Sequence, residues 1–373
     1  MADFSRVLAG PYATMLLADL GAEVTKVERP ETGDDTRAWG PPYDAAGDAT
    51  YFLGLNRNKR SVPLDLATEP GRAAARALVF RSDVVVENFK PGTMERMGLG
   101  FDDLHGERPG LVFCTITGFG AGEGRDLPGY DLVVQAVGGL MSVTGPAPGE
   151  PTKIGVALVD VVAGLHAGLG ILAALRHRDR TGEGQWVEIS LLSSLLSALV
   201  NQASGFVAAG VVPGILGNAH PSIAPYEVYD VADGRFVVAV GTDRQFAALC
   251  SVIERPALTE DARFATNADR VRNREDLNEE LAPALGTRTG PQWFDALRAV
   301  GVPCGPINDV AGAFAFAESL GLEPVVDIND ARRPTPSRQV RNPIGLSATP
   351  PSYRLAPPRL DEDSAPSSGA PNG

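Results

Sequence analysis

PYATMLLADLGAEVTKVE, residues 11–28, reads as a helix that stops on a glycine and a strand that leaves it. Pro11 stands in the first turn, where a helix tolerates proline, and apolar residues continue to Leu20. Gly21 ends the helix, and 22–27 forms a β-branched run that reaches Glu28. The alternation then repeats. A helix over 70–79, weakened by Gly71, leads to a strand over 83–86, and a strand over 111–117 opens into GFGAGEG (118–124). A long helix over 160–177 leads to a strand over 185–189, with a further helix over 191–208. Helices alternating with short β-branched runs predict an α/β class with a mostly parallel sheet covered on both faces.

The character of the chain changes near residue 210. Residues 210–225 are rich in Gly and Pro and read as a linker. Two strands over 226–231 and 235–240 flank ADG (232–234), an aspartate–glycine hairpin turn, and helices are predicted over 243–253, 274–285 and 291–300. The expected organisation is a large α/β domain over 1–209, the linker, and a small α+β domain over 226–320. A segment over 321–360 returns to the large domain, and a low-complexity tail over 361–373 is expected to be disordered. The 373 residues suffice for two such cores.

Thirty-three basic residues against 46 acidic ones give a net charge of −13. That balance argues against non-specific binding to nucleic acid or an anionic membrane, though not against a phosphorylated small ligand held in a local pocket. Cys114, Cys250 and Cys304 lie far apart, and the four histidines are equally scattered, so no metal-ligand spacing exists. No metal and no permanently bound cofactor are expected. The start, MADFSRVLAG, has no basic segment followed by an apolar one, and a reducing, cytoplasmic setting fits the thiols. The longest apolar stretch, 161–175, is interrupted by glycines and a histidine and reads as too short to span a bilayer.

The glycines of 118–124 follow a strand, and Glu28 ends another, but they belong to different βα units in the wrong order, so the dinucleotide fingerprint is absent. Basic residues concentrate locally in this acidic chain. Arg57 and Lys59 lie in NRNKRS (56–61), joined by Arg37 and by Lys90 and Arg96 around ENFKPG (87–92). They either hold the phosphates of a nucleotide-like molecule such as CoA or face water as a solvated turn. Asp160 follows the apolar run IGVALV (154–159) at the start of a helix. It is either an N-cap or a functional carboxylate, kept anionic by amides and the helix field and suited to nucleophilic attack on a thioester. Tyr130, in PGYD (128–131), is a wall aromatic or a donor to a substrate carboxylate. His220, in the loop GNAHPS (217–222), favours a polar role, and no Gly-x-Ser-x-Gly elbow occurs.

The runs RVLAGPYATMLLADLGAEVTKVERP (6–30), GDDTRAWGPP (33–42), NRNKRSVPLDL (56–66), ENFKPG, PGYDLVVQAVGGLMSVTG (128–145) and GVALVDVVAGLHAGLGILAAL (155–175) resemble the family III CoA-transferases. The group includes formyl-CoA transferase, carnitine CoA-transferase and α-methylacyl-CoA racemase, and the likeness covers nearly the whole chain in order. It implies that Asp160 is the catalytic carboxylate, forming an aspartyl–acyl anhydride and then an aspartyl–CoA thioester, with CoA or acyl-CoA as substrate. It implies CoA contacts at Arg37, Asn88, Phe89 and Arg96 and near Leu64. It also implies a Rossmann-like large domain and an interlocked homodimer. Tyr130 stands where the racemases have a histidine, which favours transfer over racemisation, while a racemase or a non-catalytic acyl-CoA-binding subunit remains open. GDDTRAWGPP and GNAHPSIAPY (217–226) resemble the branch using succinyl-CoA and glutarate-like acids, with Tyr130, His220 and Ser222 as candidates for the second carboxylate. The likeness further implies a strand before Asp3 that this chain mostly lacks.

Overall fold

Six strands of the computed structural model, which describes residues 1–362, form one sheet. They are β1 (Ala2–Asp3), β2 (Val24–Glu28), β3 (Lys59–Pro63), β4 (Val84–Glu87), β5 (Val112–Thr117) and β6 (Trp186–Ser190). Their order is β3-β2-β1-β4-β5-β6 and every pairing is parallel. This is the doubly wound, Rossmann-like order, whose direction of build-up reverses between β1 and β4. The central strand is two residues long, a stub of the first strand that the resemblance implies.

Helices α1 (Ala9–Asp19), α2 (Glu69–Phe80), α3 (Asp131–Val137), α4 (Leu158–Thr181), α5 (Leu191–Ala198) and α6 (Val200–Ala209) accompany the sheet. Strand residues alternate between its faces. Val84, Val86, Cys114 and Ile116 pack with Ala13 and Leu17 of α1 and Ala163, Ala167 and Ile171 of α4. Val85 and Phe113 pack on the opposite face with Ala75 and Val79 of α2. The α1–α4 approach needs a glycine, because a Cβ on Gly164 would stand 2.6 Å from the Ala9 carbonyl oxygen. Helix α4 is longer than the apolar stretch read from the sequence. By length and composition it could cross a bilayer, yet it lays its small residues against α1 and the sheet.

The helix expected over 191–208 is two helices. Ser190 caps α5 by accepting from Ser193 N, and the chain then turns by 83° into α6 at Val200, whose φ is 41°.

Arg57 and Lys59 of the basic run NRNKRS are neither solvated nor free to cradle a phosphate, while Arg60 between β3 neighbours is exposed. Arg57 forks onto the Asp19 carboxylate at 2.7–3.1 Å, and Asn58 and Asn342 donate to the same group at 2.8 and 3.1 Å. Lys59 donates to Asp3, the Pro11 carbonyl and Asn56, all within 3.1 Å, and burial lowers its pKa to about 8. These side chains bracket the end of α1 and the loop before β3 to residues 342–355, with Asn58 also bonding the backbone of Ser352, Arg354 and Leu355. Asp19→Ala would take the acceptor from a buried guanidinium and from one N–H each of Asn58 and Asn342. It is expected to lower unfolding free energy by about 3–5 kcal/mol, read from the urea midpoint.

The chain divides into two compact units, one of 1–140, 153–212 and the segment from Glu323 onward, the other of Met141–Thr152 and Pro213–Leu322. Met141–Thr152, read from the sequence as part of the large domain, groups with the second unit. That unit holds an antiparallel sheet of β7 (Tyr226–Val231), β8 (Gly234–Ala239) and β9 (Cys304–Pro306), with a two-residue turn at Ala232 and Asp233. Phe236, Phe246, Leu249, Leu277, Leu281 and Trp293 fill its core. In the first unit, β10 (Val325–Ile328) and β11 (Ser337–Val340) form a separate antiparallel pair. Of the tail expected over 361–373, Glu362 is held by Arg333; residues 363–373 lie outside those described.

Candidate active site

In a doubly wound sheet the crevice for a ligand opens where the strand order reverses, beyond the carboxyl ends of the strands. Here the chain leaves β1 toward Arg6 and leaves β4 toward Asn88. A cleft of about 550 Å³ lies at that point, within the size range of small-molecule sites. Arg6, Asn88, Phe89, Lys90, Tyr130 and Asp160 are among the residues that line it.

Asp160 is the third residue of α4, not its N-cap. The N-cap is Ala157, which offers no side-chain acceptor. A carboxylate from another helix does that work. Asp131, at the start of α3, accepts from the Val159 and Asp160 amides at 2.8 and 3.2 Å. Its other oxygen accepts from Gln135, whose own carbonyl takes the Ile154 amide at 2.9 Å. The expectation that helix amides keep Asp160 readily anionic is therefore overturned. Burial first, and the Asp131 charge second, push the Asp160 pKa up to about 7. The outcome is a half-desolvated carboxylate that keeps its basicity, which favours nucleophilic attack once it ionises.

The glycine cluster forms one wall. Gly118 and Gly129 pack backbone to backbone, and a Cβ on Gly118 would stand 2.8 Å from the Gly129 Cα. This approach carries Tyr130, 63% exposed, to the cleft that holds Asp160. The Asn88 amide is occupied on both sides by the Arg6 backbone, each bond 2.8 Å. Lys90 and Arg125 line the mouth, where Lys90 pairs with Asp126 at 3.1 Å. Arg96 lies outside the lining but points at Gly92 beside Arg125. Atoms of both guanidinium groups lie 3.3–3.4 Å from where a Gly92 Cβ would stand.

Other candidates stand elsewhere. Arg57 and Lys59 are corrected to structural roles, because buried carboxylates and carbonyls occupy their donors. Arg37 forks onto Glu28 at 2.7 and 2.8 Å and also donates to the Pro358 carbonyl, outside the lining. Leu64 donates its amide to the Glu28 carbonyl and is likewise outside it. His220 and Ser222 belong to the second unit, where the His220 ring accepts from the Ser222 amide at 3.1 Å and lies against Tyr226. Among the described residues, no group of three or more His, Cys, Asp or Glu could hold a metal.

Residues 1–364 match the model of the CoA-transferase family III. This chain belongs to CoA-transferase family III. It is 42% identical to a succinate–glutarate CoA-transferase of Agrobacterium fabrum over 97% of this chain and 92% of that protein. It is 39% identical to a succinyl-CoA:mesaconate CoA-transferase of Haloarcula hispanica over 97% and 93%. Its fold matches the crystal structure of a CAIB/BAIF family protein from Brucella suis with a TM-score of 0.84, at 41% identity, covering 97% and 95% of the two chains. The protein is a CoA-transferase. Sequence reading of this family III chain missed three site residues: Arg6, Arg125 and Asp131. Only Asp131 carried a local signal, as an acid in the first turn of a helix within PGYD.

Proposed function

We propose that this chain moves CoA from succinyl-CoA or a similar acyl-CoA to a dicarboxylic acid, with Asp160 as the covalent carrier. The observation that carries this reading is Asp160, half-buried in a cleft at the reversal point of the sheet that Tyr130 also lines. Ionised Asp160 attacks the thioester carbonyl. The C–S bond breaks, leaving an aspartyl–acyl anhydride and CoA thiolate. The thiolate attacks the aspartyl carbonyl and releases the donor acid, forming an aspartyl–CoA thioester. The acceptor carboxylate attacks that thioester to give a second anhydride, and the thiolate then takes the acceptor acyl group and frees Asp160. Each activated bond replaces another of similar energy, so ATP is not required.

Lys90, Arg125 and Arg96 suit the CoA phosphates, since their charges converge at an open, solvated mouth. Tyr130 suits a substrate carboxylate as hydrogen-bond donor. The working form is an interlocked homodimer in the cytoplasm. The apolar side chains that α4–α6 leave exposed, among them Leu165, Leu169, Phe206 and Val207, support a partner surface.

The test is a mass-spectrometric screen of acyl-CoA donors against mono- and dicarboxylic acids. Exchange between succinyl-CoA and C4–C5 dicarboxylates without ATP is the expected outcome. Solvent deuterium entering the α-carbon of an acyl-CoA, with no exchange to any acid, would contradict it.

A further inference from the structure

We infer that the Arg6 guanidinium is the counter-charge for the second carboxylate of the dicarboxylic substrate. The inference rests on the CoA-transfer reading above and names the residue that would give it dicarboxylate specificity.

Five cations gather where β1 and β2 end, against four carboxylates, and Lys59 takes Asp3 at 3.1 Å. Lys26 pairs with Asp34 at 2.8 Å, Arg37 with Glu28 at 2.7 Å, and Arg29 with Asp35. Arg6 is left over. Its backbone is bonded on both sides to Asn88, but among the described residues its guanidinium has only the face of Phe89, 4.9 Å from the ring centroid. Arg6 is half-buried with no ion pair of its own among the described residues, and burial first and Arg29 second lower its pKa against the opposing pull of Asp35, Asp34 and Glu28. An anionic ligand would complete it.

The backbone is built to hold that side chain still. Val7 has a φ of 68°, a strained conformation for a β-branched residue, and its amide points at both Asp34 oxygens at 3.3–3.4 Å. Two residues on, Ala9 touches α4 at Gly164, one turn beyond Asp160. The strained turn thus ties Arg6 to the nucleophile's helix. Lys90 and Arg125 differ in being exposed at the mouth. The phosphates of CoA can stay solvated there, while the acyl end must enter toward Asp160. A guanidinium fork over an aromatic face matches a carboxylate with two parallel hydrogen bonds.

The test compares Arg6→Gln and Arg6→Lys with the parent protein, using glutarate and pentanoate as acceptors and calorimetric titration of CoA. Arg6→Gln is expected to reduce the kcat/KM ratio of glutarate over pentanoate about 10–100-fold, with CoA affinity within about threefold of the parent. Arg6→Lys keeps the charge without the fork and should recover part of the ratio. Loss of CoA affinity with the ratio intact would make Arg6 a phosphate ligand and overturn the inference. An intact ratio with intact CoA affinity would overturn it as well. If the parent protein transfers CoA to no acid, the CoA-transfer reading fails instead. If Arg6→Gln does not fold, the Arg6→Lys ratio decides: no change from the parent rejects the bidentate role.

Discussion

Asp160→Asn should abolish CoA transfer, with kcat/KM falling at least about 10⁴-fold, because the amide cannot form the anhydride on which both half-reactions depend. The substitution preserves shape, so CoA affinity measured by calorimetry should stay close to the parent value. Its effect on stability should run opposite to its effect on activity. The folded pKa of Asp160, about 7, lies above its ordinary value of 3.8. Between those values the unfolded chain has lost the proton that the folded chain still holds. Asp160 therefore costs stability progressively as pH rises through this window, and the cost is complete above about pH 7. Asp160→Asn should raise the urea midpoint at pH 8 relative to the parent and do so less at pH 5. An inactive variant that is destabilised at pH 8 would contradict the desolvated carboxylate described for the cleft.

The second large effect is on pH dependence. The kcat/KM for acyl-CoA reports the free enzyme and should climb as pH rises through about 7, levelling off as Asp160 ionises. Asp131 faces Asp160 from α3 through the two amides it accepts. Tyr130, Arg6, Lys90, Arg125, Asp35 and Asp126 line the same cleft, and the charge of Asp160 also reaches Tyr51, whose pKa burial raises to about 12. Among these, Asp131 is the charge that lifts Asp160. Asp131→Asn keeps an oxygen for the helix amides and removes that charge, so the midpoint should move down toward the ordinary carboxylate range. The plateau should fall too, because a less basic carboxylate is a weaker nucleophile. A purely structural role for Asp131 would lower activity without moving the midpoint, so pH–rate profiles of parent and variant separate the two.

Reading of the fold followed the local rules where those rules act alone. Gly21 ends α1 at a φ of 111°, and the β-branched run after it forms β2, because turn chemistry and periodicity agree there. The break between α5 and α6 was not legible. Leu199 and Val200 continue an apolar run with no glycine or proline, so only the wider packing reveals the bend. The NRNK run misled for a related reason. Charged residues in a loop read as solvated, and the partner that buries Arg57 is Asp19, 38 positions away. Asp160 was visible as an acid after an apolar run at a helix start. Its environment was not, because its cap comes from Asp131, 29 positions earlier and on another helix. Arg6 stayed invisible for the opposite reason: its meaning lies in a partner it lacks, once Lys26, Arg29 and Arg37 have taken the nearby acids.

The most direct test of the covalent carrier is to mix the protein with succinyl-CoA, quench, digest and read the mass of the peptide bearing Asp160, with and without hydroxylamine. The account predicts a CoA thioester on that peptide, exchanged for a hydroxamate by hydroxylamine and discharged by an acceptor dicarboxylate. Turnover with that peptide unmodified at every time point, or with the label on another residue, would contradict it.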